Sequence, residues 1–335
     1  MVIFIKAPSC LSPMTVAVIT PVYATPENGR LGLLRKTMES VRGQTAPYVH
    51  LIVDDGSPIN VKEVIDGQHN PNVKYMQRER KSDDQKTSAN AINAGIEQCL
   101  SNEGSVLTPK ETSAIKAITY LHSDDLYTPN SLQSRMDHLG NNGMVYTDIA
   151  CVENNKVSRV VIGGEEDASS LLKPEKLFQF PHHTAMWRRD FLQYTRDYAT
   201  RFWGQKGVFD PSLRCAEDFD ATISFLQAAG EGDYGIRYVP EFSVLYRSHD
   251  AAMHTSTGTL ERFDQLNGIF SKHFGDMYNM ADVISMRLGA DLPWSLLTFL
   301  PEKMKDKLRP IKNRIKRKDG ELDRRLRDVE ENFVF

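Results

Sequence analysis

The chain has 335 residues, 40% of them hydrophobic and 25% charged, with a net charge of −3, enough for one large core or for a domain of about 200 to 250 residues with an appendage. The near-neutral balance argues against a general attraction to nucleic acid, and no uninterrupted apolar run reaches the roughly 18 residues of a transmembrane helix. MVIFIKAPSCLSP at the start holds too short an apolar run for a signal peptide. Four scattered cysteines without a CxxC pair (Cys10, Cys99, Cys151, Cys215) fit a reduced, cytoplasmic compartment.

In chain order, TVAVIT (15–20) and HLIVDD (50–55) are continuous apolar runs ending in polar residues, as strands covered on both faces should be. Between them Leu31, Leu34, Met38 and Val41 repeat at helical spacing, with Gly43 as the stop. A second helix carries Ala89, Ile92, Ile96 and Leu100. The polar stretch 101–114 lacks periodicity and reads as a surface loop or insertion. A strand at 117–121 leads into a helix with Thr128 as cap, Pro129 at its first position, and Leu132, Met136 and Leu139 inward. GMVYTD (143–148) is a further short strand, and FSVLYRSH after residue 240 is the last. The alternation predicts an α/β fold, a mostly parallel sheet with helices on both faces. Beyond it the chain reads as helical and irregular.

Such sheets bind ligands outside the carboxyl ends of their strands. Three strands here end in Thr20-Pro21, Asp54-Asp55 and Asp124-Asp125, so four carboxylates share one edge. A helix dipole accounts for one aspartate near 125 but not for a pair at a strand end. A hard divalent cation, Mg²⁺ or Mn²⁺, accounts for both, and it leaves positions open for phosphate oxygens. Asp54-Asp55-Gly56-Ser57-Pro58 reads either as a turn or as a carboxylate accepting from a base or ribose. Glu217 and Asp218 fall in the first turn of a helix with Cys215, Phe219, Thr222 or Ile223, and Leu226 on one face and Gly230 at its end. They serve its dipole or present a general base. The histidines at 182, 183, 249 and 254 carry no zinc spacing.

In order and spacing these stretches resemble the family 2 glycosyltransferases, an inverting group with the GT-A fold. VAVITPVYATPENGRLGLLRKTMESVRGQTAPYVHLIVDDGSP is similar to the family's opening, and SANAINAGIEQC to its A-x-N-x-G-I helix. YLHSDDLYTPNSL is similar to the metal motif L-D-x-D-D-x-x-x-P, with His122 in place of the first aspartate. FPHHTAMWRRDFL, GVFDPSLRCAEDFDATISFLQAAG and VPEFSVLYRSHDAAMH resemble the acceptor segment, the Glu-Asp helix and the closing strand with its Arg-x-His.

The resemblance covers about residues 14–255 and implies a nucleotide-binding part (14–126) and an acceptor part (127–255), between an N-terminal extension (1–13) and a helical extension (256–335). It implies that Thr20, Pro21 and Tyr23 line a nucleotide pocket, that Asp55 or Asp54 bonds the base, and that Asn90 lies near the diphosphate. Asp124 would bind the metal. Asp125 would bond metal-bound water, ribose or the donor sugar, beside Ser123 and a ribose-contacting His122. His249 would reach the diphosphate or complete the metal shell. Asp218 would be the general base, oriented by Glu217, and His183 and Trp187 acceptor or donor-sugar contacts. The implied activity is inverting transfer from a nucleotide-diphosphate sugar, UDP by default, to a glycan, lipid-linked or other hydroxyl. A nucleotide-sugar-binding protein without transfer and a nucleotidyltransferase are the rival readings, the latter lacking a Gly-rich basic loop after the first strand.

Residues 302–318 carry nine Lys or Arg against two acids, and an aromatic-apolar stretch precedes them from 291. The segment suits either a docked helix with a solvated basic face or a peripheral contact at the inner face of a membrane. Flotation with anionic liposomes, with and without residues 291–335, separates the two: equal recovery in the aqueous fraction decides for the docked helix.

Overall fold

The computed structural model describes residues 14–80, 87–153, 156–164, 167–177, 180–214, 216–247 and 259–275. The chain begins with β1 (Thr15–Val22), α1 (Arg30–Arg42), β2 (Tyr48–Asp54), α2 (Val61–Asp66), β3 (Val73–Gln77) and α3 (Ala89–Leu100). It continues with α4 (Pro109–Ala114), β4 (Ile115–Tyr120), β5 (Leu126–Tyr127), α5 (Ser131–Leu139), β6 (Met144–Glu153) and β7 (Lys156–Val161). Then come α6 (Ala168–Leu171), α7 (Pro174–Leu177), a 3-10 turn (His182–Thr184) and β8 (Met186–Arg188). α8 (Arg189–Trp203), α9 (Glu217–Gly232), β9 (Ile236–Arg247) and α10 (Thr259–Phe274) complete the described residues.

The strands form one sheet in the order β3-β2-β1-β4-β8-β6-β9-β5, with β7 paired to β6. β3, β2, β1 and β4 are mutually parallel, so their carboxyl ends share an edge. β8 runs antiparallel to β4, Met186 opposite Thr119, and the 3-10 turn just before it therefore sits at that edge. β6 is antiparallel to β8 and parallel to β9, which brings Tyr246 and Arg247 at the end of β9 to the same side.

Period-2 alternation divides β1 between two cores. Ala17 and Ile19 pack with Ile92 and Ile96 of α3 and Phe225 of α9, whereas Val16 and Val18 pack with Leu132 and Met136 of α5. Both faces are covered, so the strand is apolar without a break from Val16 to Ile19. No helix among the described residues is long and apolar enough to cross a membrane.

Three local expectations are corrected. Thr128 does not cap α5: its hydroxyl donates to the Phe242 carbonyl at 2.8 Å and its N–H to Ser243 at 3.1 Å. It is used instead to continue the pairing of β5 with β9, and the helix starts at Ser131 behind Asn130 in the left-handed region. The α5 start is served by Gln44, whose amide accepts from Leu132 N–H at 2.9 Å and donates to the Thr128 carbonyl at 2.8 Å. The stretch 101–114 is not all loop. Thr108 and Glu111 make a capping box that starts α4, a T-x-x-E signal present in the sequence. Gly230 does not end α9, which runs to Gly232 and stops at left-handed Asp233.

α3 lies so close to β1 that a Cβ on Gly95 would meet Ile19 Cγ2 at 2.6 Å, whereas one on Gly32 in α1 would meet nothing within 4 Å. Gly95→Ala is expected to destabilise by about 1–3 kcal/mol through overpacking. Gly32→Ala should stabilise by up to about 1 kcal/mol through helix propensity. Urea unfolding midpoints of the two variants check both signs.

Candidate active site

The ladder continues one residue past β4, Leu121 N–H donating to the Ile19 carbonyl at 2.9 Å, and the chain then turns with Asp125 N–H donating to the His122 carbonyl at 3.0 Å. The turn sends the adjacent aspartates to different places. Asp124 is partly exposed and ion-paired with Arg30 from the start of α1, and its carbonyl accepts from Arg247 Nε. Asp125 is fully buried. Its Oδ1 accepts from Arg247 N–H at 3.0 Å, its carbonyl accepts from Thr37 Oγ1 at 2.8 Å, and its Oδ2 has no hydrogen-bond partner.

The 3-10 turn supplies the opposing wall. His183 Nε2 lies 3.1 Å from Asp218 Oδ2, and its Nδ1, also without a hydrogen-bond partner, lies 3.9 Å from Asp125 Oδ2. One imidazole thus stands between two carboxylates from distant parts of the chain. Its ring also packs on His122 (centroids 5.0 Å apart) and Tyr246 (5.2 Å). Fully buried Arg135 fixes the turn from behind, donating to the Thr184 carbonyl at 3.0 Å and to Thr119 Oγ1 at 3.2 Å, with its guanidinium over the Tyr127 ring.

α9 enters the site through Ala216, whose φ of 63° is a left-handed conformation rare for a residue with a Cβ. The acids that follow diverge as the first pair does. Glu217 is buried and accepts from Ser88 Oγ at 3.1 Å, next to the start of α3. The Asp218 side chain is 27% exposed and faces His183.

These surroundings separate the groups electrostatically. Burial, then the Asp124 charge, pushes Asp125 up to about 7. Burial and Asp218 likewise raise Glu217. Burial also acts to raise Asp218, but the His183 hydrogen bond and the charges of His182 and His183 outweigh it and hold the carboxyl well below its usual range. His183 shows the converse: burial pulls it down, and the bond and charge of Asp218, with Asp125 and Asp124, carry it above the ordinary histidine value. His122, buried and next to His183, falls to about 4 and is neutral at physiological pH.

On the nucleotide side the expected residues are divided between structure and surface. Thr20 is buried and bonds His50 at 2.9 Å, and Pro21 is buried in β1 opposite Val53. Tyr23 is 40% exposed, with Arg80 stacked on its ring at 4.6 Å. The choice between Asp54 and Asp55 is narrowed by their bonds. Asp54 is occupied by Ser57 N–H at 2.9 Å and Tyr75 Oη at 2.8 Å, while Asp55 faces Arg78 and Arg80. Asn90 lies in the first turn of α3, half-buried, and Ser123 is buried in the Asp turn. Trp187 is 2% exposed, stacked between Tyr120 and Phe225. It supports the site from the core and has no surface to offer an acceptor, a correction to its expected contact role. His249 lies outside the described residues.

Arg30, Arg78, Arg80 and Arg135 were not anticipated, since nothing in their local sequence distinguishes them from surface arginines. Arg247 was visible only as part of Arg-x-His. A cavity of about 540 Å³ lies at the opposite edge, lined by Met14, Leu100, Ile115, Met136 and Leu139 with Arg188 and Asp190. None of the acids described above reaches it, so the chemistry places the site at the carboxyl edge.

The parallel half-sheet, the acidic turn after β4 and the Glu-Asp start of α9 define a glycosyltransferase of the GT-A fold. The chain belongs to glycosyl transferase family 2, whose model matches residues 17–197. Among solved structures it is similar to S. aureus TarS 1–349 in complex with UDP-GlcNAc, with a TM-score of 0.56 and 15% identity over 95% of this chain and 91% of that one. The same fragment with UDP gives 0.54 at 15% identity, covering 95% and 90%. The mannosyltransferase PcManGT from Pyrobaculum calidifontis, in complex with GDP-Man and Mn²⁺, gives 0.50 at 16% identity, covering 85% and 72%. At such identities the likeness shows the fold. No curated protein sequence matches the chain significantly.

Asp125 carries a sign-definite prediction. Its folded-state pKa of about 7 lies above the unfolded value of about 3.9, so the folded state holds the extra proton and stability falls as pH rises through that window. The penalty is complete above pH 7. Asp125→Asn, neutral and still able to accept from Arg247 N–H, is expected to be more stable than the parent at pH 8 by on the order of 2–4 kcal/mol. The difference should vanish below pH 4. Denaturant unfolding at the two pH values measures it.

Proposed function

We propose that the protein transfers a glycosyl group from a nucleotide-diphosphate sugar, UDP by first choice, to an acceptor hydroxyl with inversion, Asp218 acting as general base. The observation that carries this reading is the Asp218–His183 pair. It holds an ionised, partly exposed carboxylate at the carboxyl edge of a GT-A sheet, at the start of a helix fixed by buried Glu217.

A depressed pKa makes Asp218 a weak base before the donor arrives. A diphosphate at the same edge raises every titrating group near it, which moves Asp218 toward the range in which proton transfer is efficient. The acceptor hydroxyl then gives its proton to Asp218 as its oxygen attacks the anomeric carbon, and the bond to the diphosphate oxygen breaks on the opposite face. Arg30 and Arg247, both held against Asp124, would supply fixed positive charge near the departing diphosphate. Asp55 with Arg78 and Arg80 would receive the base, with Tyr23 as a flanking ring, and Asn90 would approach the diphosphate.

The donor chemistry suits a hard divalent cation, Mn²⁺ or Mg²⁺: carboxylates of adjacent residues, Asp124 partly exposed and Asp125 with an unpartnered Oδ2, follow the same strand end. Among the described residues no three ligands converge, and His249 is proposed to complete the set. When bound, such an ion would neutralise the diphosphate leaving group. The acceptor is proposed to be a glycan, lipid-linked or other hydroxyl, and a lipid-linked one would suit a membrane contact through 291–318.

The test begins with thermal shifts against UDP, GDP, CDP and dTDP and their sugars, with and without Mn²⁺ or Mg²⁺. One nucleotide is expected to stabilise the protein in a cation-dependent manner, and Asp124→Ala to lose that response. With the donor so fixed, Asp218→Asn should lower turnover by at least about 100-fold and leave the nucleotide shift intact. Near-normal turnover in that variant would falsify the base assignment.

A further inference from the structure

α10 lies beyond the family-matched residues, yet its last turn reaches the helix that presents the base. Lys272 Nζ lies 2.9 Å from both carboxylate oxygens of Asp220, 3.3 Å from Asp210 Oδ2 and 3.0 Å from Gln205 Oε1. His273 Nε2 lies 2.8 Å from Asp220 Oδ1, and its Nδ1 lies 2.9 Å from Gln227 Oε1 on the same helix as Asp220. The Trp203 ring covers both, 4.5 Å from the His273 ring and 5.3 Å from Lys272 Nζ. Asp220 and the His273 side chain are fully shielded from solvent. Beside the polar contacts Phe270 packs on Phe219, centroids 5.9 Å apart.

Residues two apart on an α-helix project about 200° from one another. Asp218 therefore faces His183 while Asp220 faces α10, and the first turn of α9 is gripped from both sides. The grip matters because that turn follows left-handed Ala216 and has no side-chain cap. On the site side it is held through Asp218 to His183 and through Glu217 to Ser88, and α10 supplies the hold on the opposite face.

We infer that Lys272 and His273 are positioning residues: through Asp220 they clamp the first turn of α9 and so set Asp218 against His183, which makes α10 part of the active site. The inference rests on the base reading of Asp218 for its catalytic consequence. A carboxylate displaced by an ångström loses rate rather than affinity, and the predicted signature follows from that.

The full-length chain carrying Lys272→Met is compared with the parent in two measurements. Release of UDP from UDP-GlcNAc with Mn²⁺ is expected to show kcat lowered about tenfold or more and KM within about twofold. Lys272→Arg should recover most of the loss, and Asp220→Asn should reproduce it if Lys272→Met fails to fold. Arg201→Ala, which breaks the ion pair with Glu231 at the far end of α9, should leave kcat unchanged. Amide exchange in residues 216–222 should quicken in Lys272→Met while β1 and β2 stay protected. Unchanged exchange there, or equal loss of kcat in Arg201→Ala, overturns the clamp, as does kcat within about twofold of the parent while Asp218→Asn is inactive. Exchange needs no donor and no base. An active Asp218→Asn variant together with faster exchange discards the base and keeps the clamp.

Discussion

Four carboxylates drawn to one end of a sheet are the constraint to which the surrounding structure answers. Asp124 with Asp125 and Glu217 with Asp218 are adjacent in sequence, and like charges so close are costly out of water. In each pair the chain separates the two by environment. One member is buried and driven toward its protonated form, as Asp125 and Glu217 are. The other stays partly exposed beside a cationic or protonatable partner, Arg30 for Asp124 and His183 for Asp218. Pairs of titratable groups pushed apart in this way are how acid and base roles are assigned at one pH.

The sheet makes that division without long loops. Parallel β1, β2 and β4 end together, and the antiparallel run of β8 brings His183 back to the same edge through a turn of three residues. Arg247, at the end of β9, then reaches both members of the Asp pair, one through its backbone and one through its side chain. Behind these contacts stand buried polar residues with almost every donor used. Arg135 ties α5 to the 3-10 turn, and Gln44 ties the end of α1 to the start of α5. A half-satisfied network would loosen the site, and a satisfied one specifies it.

In the first hundred residues β1, β2, α1 and α3 were legible because each is a single-period pattern, apolar runs for the strands and i, i+3, i+4 spacing for the helices, whereas the short α2 and β3 were not read. The acids were legible as pairs because pairing at a strand end has few innocent explanations. What escaped was whatever tertiary structure decides. Thr128 looks like a cap, and the claim of β9 on its hydroxyl and N–H is invisible locally. Asp54 and Asp55 are equivalent as letters, and only the turn at Ser57 and the hydroxyl of Tyr75 consume the first. Trp187 reads as a binding aromatic until β8 places it between Tyr120 and Phe225. Arginines are the extreme case, since a guanidinium on a long stem can serve any acid within reach.

His122 gains its meaning from the same charge balance. A third carboxylate in that position would add a negative charge to an edge where burial and the Asp124 charge already push Asp125 up to about 7. The histidine adds none, because burial and His183 keep it neutral down to about pH 4, and it contributes a ring that packs between Tyr120 and His183. The exchange lowers the attraction of the edge for a cation and equally lowers its repulsion of a diphosphate. In the proposed transfer, Arg30 and Arg247, both held against Asp124, would therefore carry more of the neutralisation of the diphosphate than they would beside three acids. On that reading, part of the positive charge that an exchangeable ion would supply comes instead from side chains that the fold itself holds in place.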